Sequence, residues 1–291
     1  MNPHPIALIS ITLFAAVVNG ALGYGFSSIT VPLALLFLAN RVLNPALVLI
    51  EVALNAWVLF VNRDALPAVW RRMLPVIIGL LPGVIAGTLI VSRVHPEWLK
   101  LGTYVVLLPL ILLQAAGFRR PLRAERAGFV PFGVSVGVLY SVTTISGPPL
   151  AMLLNNQGFA KHEFRASLGL VRLAESSFTA IAYLAAGLIT RDSLGLIPQI
   201  LPSVLIGVPI GVQLLRRIDA EAFRRWCMSF DAWVVGFGIS ILLRDLGVVR
   251  GIVAFGVLAG VVAADAVLLY RFYAKRREVD IRGPNWRIST D

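Results

Sequence analysis

Residues 6–24 form an unbroken apolar run, and ten more follow at 26–39, 45–61, 73–91, 98–116, 128–145, 148–156, 164–189, 194–215, 226–243 and 251–271. Most are near the length of about 20 residues that a helix needs to cross a bilayer. Backbone in lipid must satisfy its own hydrogen bonds, which leaves helices or closed barrels. The runs are continuous rather than alternating, so the spacing predicts helices. With 58% hydrophobic and 14% charged residues and a mean hydropathy of +0.83, little is left for a soluble domain. The first run lacks a basic leader and a small-residue cleavage site, and reads as a retained helix rather than a signal peptide.

The polar stretch GFRRPLRAERA at 117–127 divides the chain into two halves that resemble each other. ITVPLALL at 29–36 matches SGPPLAML at 146–153, RDAL at 63–66 matches RDSL at 191–194, and GTLIVSRVHPEWLK at 87–100 matches GVQLLRRIDAEAFR at 211–224. The expected organisation is a first membrane repeat at 1–116, a cytoplasmic linker at 117–127, a second repeat at 128–243, and an extra helix with a basic tail at 244–291. If every run changes side, nineteen of the 26 Lys and Arg fall on one face, among them Arg63, Arg71, Arg72, the linker arginines, Arg224 and Arg225. Six fall on the other, and Arg172 lies inside a helix. The richer face is cytoplasmic by the positive-inside rule, which puts the N terminus outside and the C terminus inside. Five crossings per half is odd, so the second half enters from the opposite face. The expected fold is therefore all-α and polytopic: two inverted repeats of about five segments with short interrupted helices, plus one extra C-terminal helix. The net charge of +11 is explained by this topology rather than by a nucleic-acid partner.

In each half a long run breaks before a short one: NGALGYGFSSITVPL in the first, SVTTISGPPLAML in the second. Matched Gly/Pro-interrupted segments are the best sequence pointer to a transporter's binding site. Pro148 and Pro149 suit the first turn of a new helix, Ser146 is a candidate N-cap, and free N–H groups there attract anions. The candidate substrate-binding set is Gly25, Ser27, Ser28, Thr30, Thr143, Thr144, Ser146, Gly147, Asn155 and Arg172. The motif NGALGYGFSSITVPLALL with its partner SGPPLAMLL, the two-fold repeat and the small size resemble the TauE/SafE family of membrane permeases, over about residues 6–243. The resemblance implies export of sulfite or organosulfonates across the bacterial inner membrane, with substrate held between the repeats.

Ionisable residues at membrane depth need a reason to be there. Arg172 and Glu175 lie three apart on one helix face, as a structural ion pair or as part of a substrate site. Glu51, one turn from Asn55, is a candidate for a coupling proton or for a hydrogen bond to a neighbouring helix. Asn155, Asn156 and Gln157 either line a path or cap a helix. Lys161, His162 and Arg165 either draw anions to an inner mouth or only set topology. GVIAG at 83–87 and GVPIG at 207–211 are small-xxx-small patterns that pack helices closely. Asp231 and Asp265 read as lying near helix ends or outside the repeats, and Cys227 as an inert core residue. No metal-ligand spacing, phosphate loop or cofactor motif stands out, and none is expected. The partners expected are a small anion and the lipid bilayer, with room for a homo-oligomer. Two rival readings are a membrane-embedded enzyme using Glu51 and Asp231 as acid and base, and a non-transporting assembly or sensor subunit.

Overall fold

A computed structural model describes residues 5–22, 25–116, 128–155, 161–214 and 220–282. The linker 117–127, Asn156 and Gln157 lie outside these, as do the side chains of Asn155, Lys161 and His162. The described residues form eleven α-helices and no strand. They are α1 (Pro5–Leu22), α2 (Phe26–Ala34), α3 (Asn40–Val61), α4 (Leu66–Arg93), α5 (Pro96–Ala115), α6 (Phe129–Thr143), α7 (Gly147–Asn155), α8 (Lys161–Ala185), α9 (Arg191–Leu214), α10 (Ala220–Asp245) and α11 (Gly256–Arg282). Seven helical stretches are long and apolar enough to span a membrane, and α1 and α6 are shorter apolar helices. At about 1.5 Å per residue, the nine-residue α2 and α7 are each about 13 Å long, less than half of a hydrocarbon core of about 30 Å.

Each apolar run is a helix, but several begin earlier than their polar residues suggest. α3 starts at Asn40 rather than 45 because its polar first turns have partners. The Arg41 guanidinium donates to the carbonyls of Val91, Ser92 and Val94 at 2.8–2.9 Å, closing the C-terminal end of α4. α10 starts at Ala220, and Arg225 is not in a loop: it is buried and paired with Asp265 of α11 at 2.7 Å. That pair fastens α11 to the bundle. Asp231, expected near a helix end, is buried well inside α10. α2 stops at Ala34 rather than 39, where i→i+3 bonds such as Phe37 N–H to the Ala34 carbonyl turn the chain toward α3.

Glycines set how the helices pack. A methyl group on Gly79 would meet the Val130 carbonyl, one on Gly83 the Val134 carbonyl, and one on Gly87 the Ser141 Cβ. The order advances together along α4 and α6, so these helices run parallel with their backbones nearly in contact. α1 and α9 do the same: Gly207 faces Leu13 and Ala16, and Gly211 faces Val17 and Ala21. α3 and α8 run antiparallel, with Asn55 bonded to the Arg172 carbonyl and Gly169 against Val58 and Leu59. These pairings, α1 with α9, α4 with α6 and α3 with α8, map onto themselves when the two five-helix halves are exchanged.

Candidate functional site

Both short helices begin at a backbone irregularity beside the α3–α8 pair. Before α2, Gly25 sits at φ 112°, a left-handed conformation that a side chain would strain, and the helix starts from it. Before α7 the left-handed residue is Thr144, at φ 57°. Its hydroxyl donates to the Thr143 carbonyl at 2.7 Å, while Thr143 Oγ1 donates to the Leu139 carbonyl and accepts the Ile145 N–H at 3.1 Å. The two threonine hydroxyls thus build the break itself. Pro148 and Pro149 bring no N–H to the tip of α7, and the Leu150 N–H is already bonded to the Ser146 carbonyl.

One serine at each break reaches a buried carboxyl group. Ser27 Oγ donates to Glu51 Oε1, and Ser146 Oγ donates to Glu175 Oε1. Ser146 therefore spends its hydroxyl on α8 rather than capping α7. The register that aligns Gly87 with Gly211 also aligns Glu51 with Glu175, and each carboxyl group takes a serine from the break in its own half. Between the carboxyl groups lies the guanidinium of Arg172, itself 5% exposed. Its Nη2 donates to Glu51 Oε1 at 3.0 Å, and its Nε stands 4.0 Å from Glu175 Oε1 without a hydrogen bond. Tyr140 of α6 donates its hydroxyl to Glu51 Oε2 at 2.6 Å.

The electrostatic consequence follows from a count of donors. Glu51 accepts three, from α2, α6 and α8, and is held as a carboxylate would be. Glu175 Oε2 has no partner among the described residues, and neither does the buried Thr30 Oγ1 of α2. Among the described residues Arg172 Nε–H and Glu175 Oε2 are thus both left without a partner inside a buried cluster, where nearly every polar group is ordinarily bonded.

The family model described as sulfite exporter TauE/SafE matches residues 8–237. The chain belongs to this family. No curated protein and no solved structure matches it. TauE/SafE proteins are membrane transporters of sulfite-type anions, and the apolar helices agree with a multi-pass membrane protein. The matched stretch contains both short helices and the whole Glu51–Arg172–Glu175 cluster, and it ends before α11.

Among the residues singled out from the sequence of this TauE/SafE protein, Ser27, Ser146 and Arg172 converge on the cluster with Glu51, and Gly25 stands at the start of α2. Gly147, buried, opens α7 and Asn155 closes it. Ser28 is partly exposed at the start of α2. Thr143 and Thr144 face inward but are tied to local backbone. Asp231 is on α10, which packs on α5, α11 and α2, and it is not among the partners of Glu51. Sequence reasoning missed Tyr140, and it left Glu175 outside the binding set although the repeat register pointed to it. From the cluster a seam of buried polar groups continues along α3 and α8. Thr179 and Ser141 hydroxyls lie 3.4 Å apart, Tyr183 donates to the Ser141 carbonyl, and Asn44 donates to the Val142 carbonyl at 2.8 Å. Among the described residues no group of three His, Cys, Asp or Glu side chains could hold a metal ion.

Proposed function

We propose that this TauE/SafE protein is a secondary transporter for a small sulfur oxyanion, such as sulfite or an organosulfonate. It works by alternating access between two inverted five-helix halves in a bacterial inner membrane, with the C terminus in the cytoplasm. The observation that carries this reading is Arg172: a buried guanidinium at the contact between the two halves, with an N–H that has no partner among the described residues, beside the starts of both broken helices. Its α8 belongs to the second half and its nearest carboxylate, Glu51, to the first.

The helix directions support the inverted arrangement, because the corresponding helices α3 and α8 run antiparallel. Two nine-residue helices that together make up about one bilayer crossing suit a site near mid-membrane that neither half closes alone. The substrate is held by Arg172, by the hydroxyls of Ser27, Ser28, Thr30 and Ser146, and by amide groups at the start of α2. The test is flux of radiolabelled sulfite and methanesulfonate in vesicles reconstituted with the purified protein. Expected is exchange well above empty vesicles, lost in Arg172→Gln. Flux equal to empty vesicles for both anions would defeat the reading.

A further inference from the structure

We infer that Glu51 carries a coupling proton: it yields Arg172 to an incoming monoanion and takes up one proton as it does so, making transport an electroneutral anion–proton symport. The inference rests on the transport reading above and adds to it the coupling ion and the residue that binds it.

The argument is one of charge at a single place. Arg172 is one cation facing two carboxyl groups, Glu51 at 3.0 Å and Glu175 at 4.0 Å, all three buried. Uncompensated charge at this depth is costly, so one carboxylate balances the guanidinium and the other carries a proton. The hydrogen bonds say which. Glu51 accepts from Ser27, Tyr140 and Arg172, the pattern of an ionised group, whereas among the described residues Glu175 has one donor and an Oε2 without a partner. The empty site is then Glu51 carboxylate, Arg172 guanidinium and neutral Glu175, with no net charge.

An anion that binds Arg172 in place of Glu51 would leave that carboxylate without its counter-ion and the site at net minus one. Neutrality returns when a proton from water on the open side adds to Glu51. The Arg172–Glu51 hydrogen bond breaks, an Arg172–anion bond forms, and an O–H bond forms on Glu51; release on the far side reverses each step. Proton and anion move together, in the direction set by their combined gradients. The groups facing Glu51 are Ser27 of α2, Tyr140 of α6, and Arg172 and Glu175 of α8. From α5 and α9, which also pack on α3, the charged residues are Glu97, Lys100, Arg191 and Asp192, near the starts of those helices and far along the bundle from the cluster.

The experiment compares two rates in reconstituted vesicles, using radiolabelled sulfite: exchange at equal pH on both sides, and accumulation driven by a pH gradient with the membrane potential clamped at zero. Sulfite itself titrates near neutrality, so the comparison between variants under one gradient carries the test. For one proton per anion, wild type accumulates about tenfold more per pH unit of gradient than Glu51→Gln, when each is normalised to its own exchange. Glu175→Gln keeps the wild-type ratio, whatever its absolute rate. A second variant guards against a Glu51→Gln protein that does not fold. Tyr140→Phe removes a donor to the Glu51 carboxylate, and its pH profile of exchange moves to higher pH relative to wild type. Equal ratios in wild type and Glu51→Gln, loss of coupling in Glu175→Gln alone, or an unmoved Tyr140→Phe profile would each overturn the inference while leaving transport intact. Absence of any sulfite exchange in wild type would instead remove the transport reading, and this one with it.

Discussion

Arg172 is held on one side by a hydrogen bond to Glu51 and faces Glu175 at 4.0 Å on the other, so its geometry as well as its charge is in use. Lysine at this position keeps the charge as a compact point on a flexible stem and loses the planar fork. Arg172→Lys is therefore expected to fold with a melting temperature near wild type, and to lose about tenfold or more of sulfite flux, a change of about 1.4 kcal/mol in transition-state stabilisation. Arg172→Leu leaves the Glu51 carboxylate buried without a counter-ion, a loss of about 3–5 kcal/mol that a thermal melt in detergent would register. Adding Glu51→Gln to Arg172→Leu should recover a large part of that stability and none of the flux, since the two side chains act as one unit. Glu51, Arg172 and Glu175 were visible in the sequence because ionisable residues stand out in apolar runs. Tyr140 was not, because a tyrosine in an aliphatic helix carries no sign of what its hydroxyl meets. Thr143 and Thr144 stand out in the sequence as hydroxyls beside a helix break, but their bonds to local backbone depend on the geometry of the break and carry no sequence signal of their own.

At the scale of elements, packing depends on where the backbone of one helix touches that of another. A Cβ on Gly83 would lie 2.2 Å from the Val134 carbonyl oxygen, and one on Gly211 would lie 2.0 Å from that of Val17. Neither neighbour is a flexible side chain that could move aside. Gly83→Val and Gly211→Val are expected to force α4 from α6 and α1 from α9, with overpacking losses of at least about 1–3 kcal/mol each. Gly102→Ala, where nothing lies within 4 Å, serves as the silent control, and melting of the three proteins in one detergent checks the contrast. The eleven elements themselves were legible because apolar length alone dictates helix in lipid, and the small-xxx-small spacing at 83–87 and 207–211 marked the close contacts. The helix starts were less legible. Arg41 and Arg225 read as loop residues until their partners, the end of α4 and Asp265, are brought to them by folding that no local pattern encodes.

For the whole molecule the question is which way each half faces. Charge counting favoured a chain that changes side at every run, and moving Arg225 from the loop tally into α10 leaves that asymmetry intact. The packing adds an independent constraint. If α1 and α2 crossed together as one span, and α6 and α7 likewise, α3 and α8 would run in the same direction. The Asn55–Arg172 and Gly169–Leu59 contacts show that they run in opposite directions. Alternation at every helix satisfies this, and it also makes α4 parallel to α6 and α1 parallel to α9. The turn before α4 and the turn before α9, which share the RD-x-L motif, then lie on opposite faces of the membrane. Asp64 and Asp192 are both exposed at these turns, and replacing either by cysteine removes no positive charge that sets topology. The native Cys227 is buried and gives little background. In intact cells a membrane-impermeant maleimide should label Asp192→Cys directly, and Asp64→Cys only after the membrane is opened. Labelling of both from one side would mean that the halves share an orientation, and a site formed by two oppositely inserted Ser–Glu pairs around Arg172 could not then be reached alternately from the two faces.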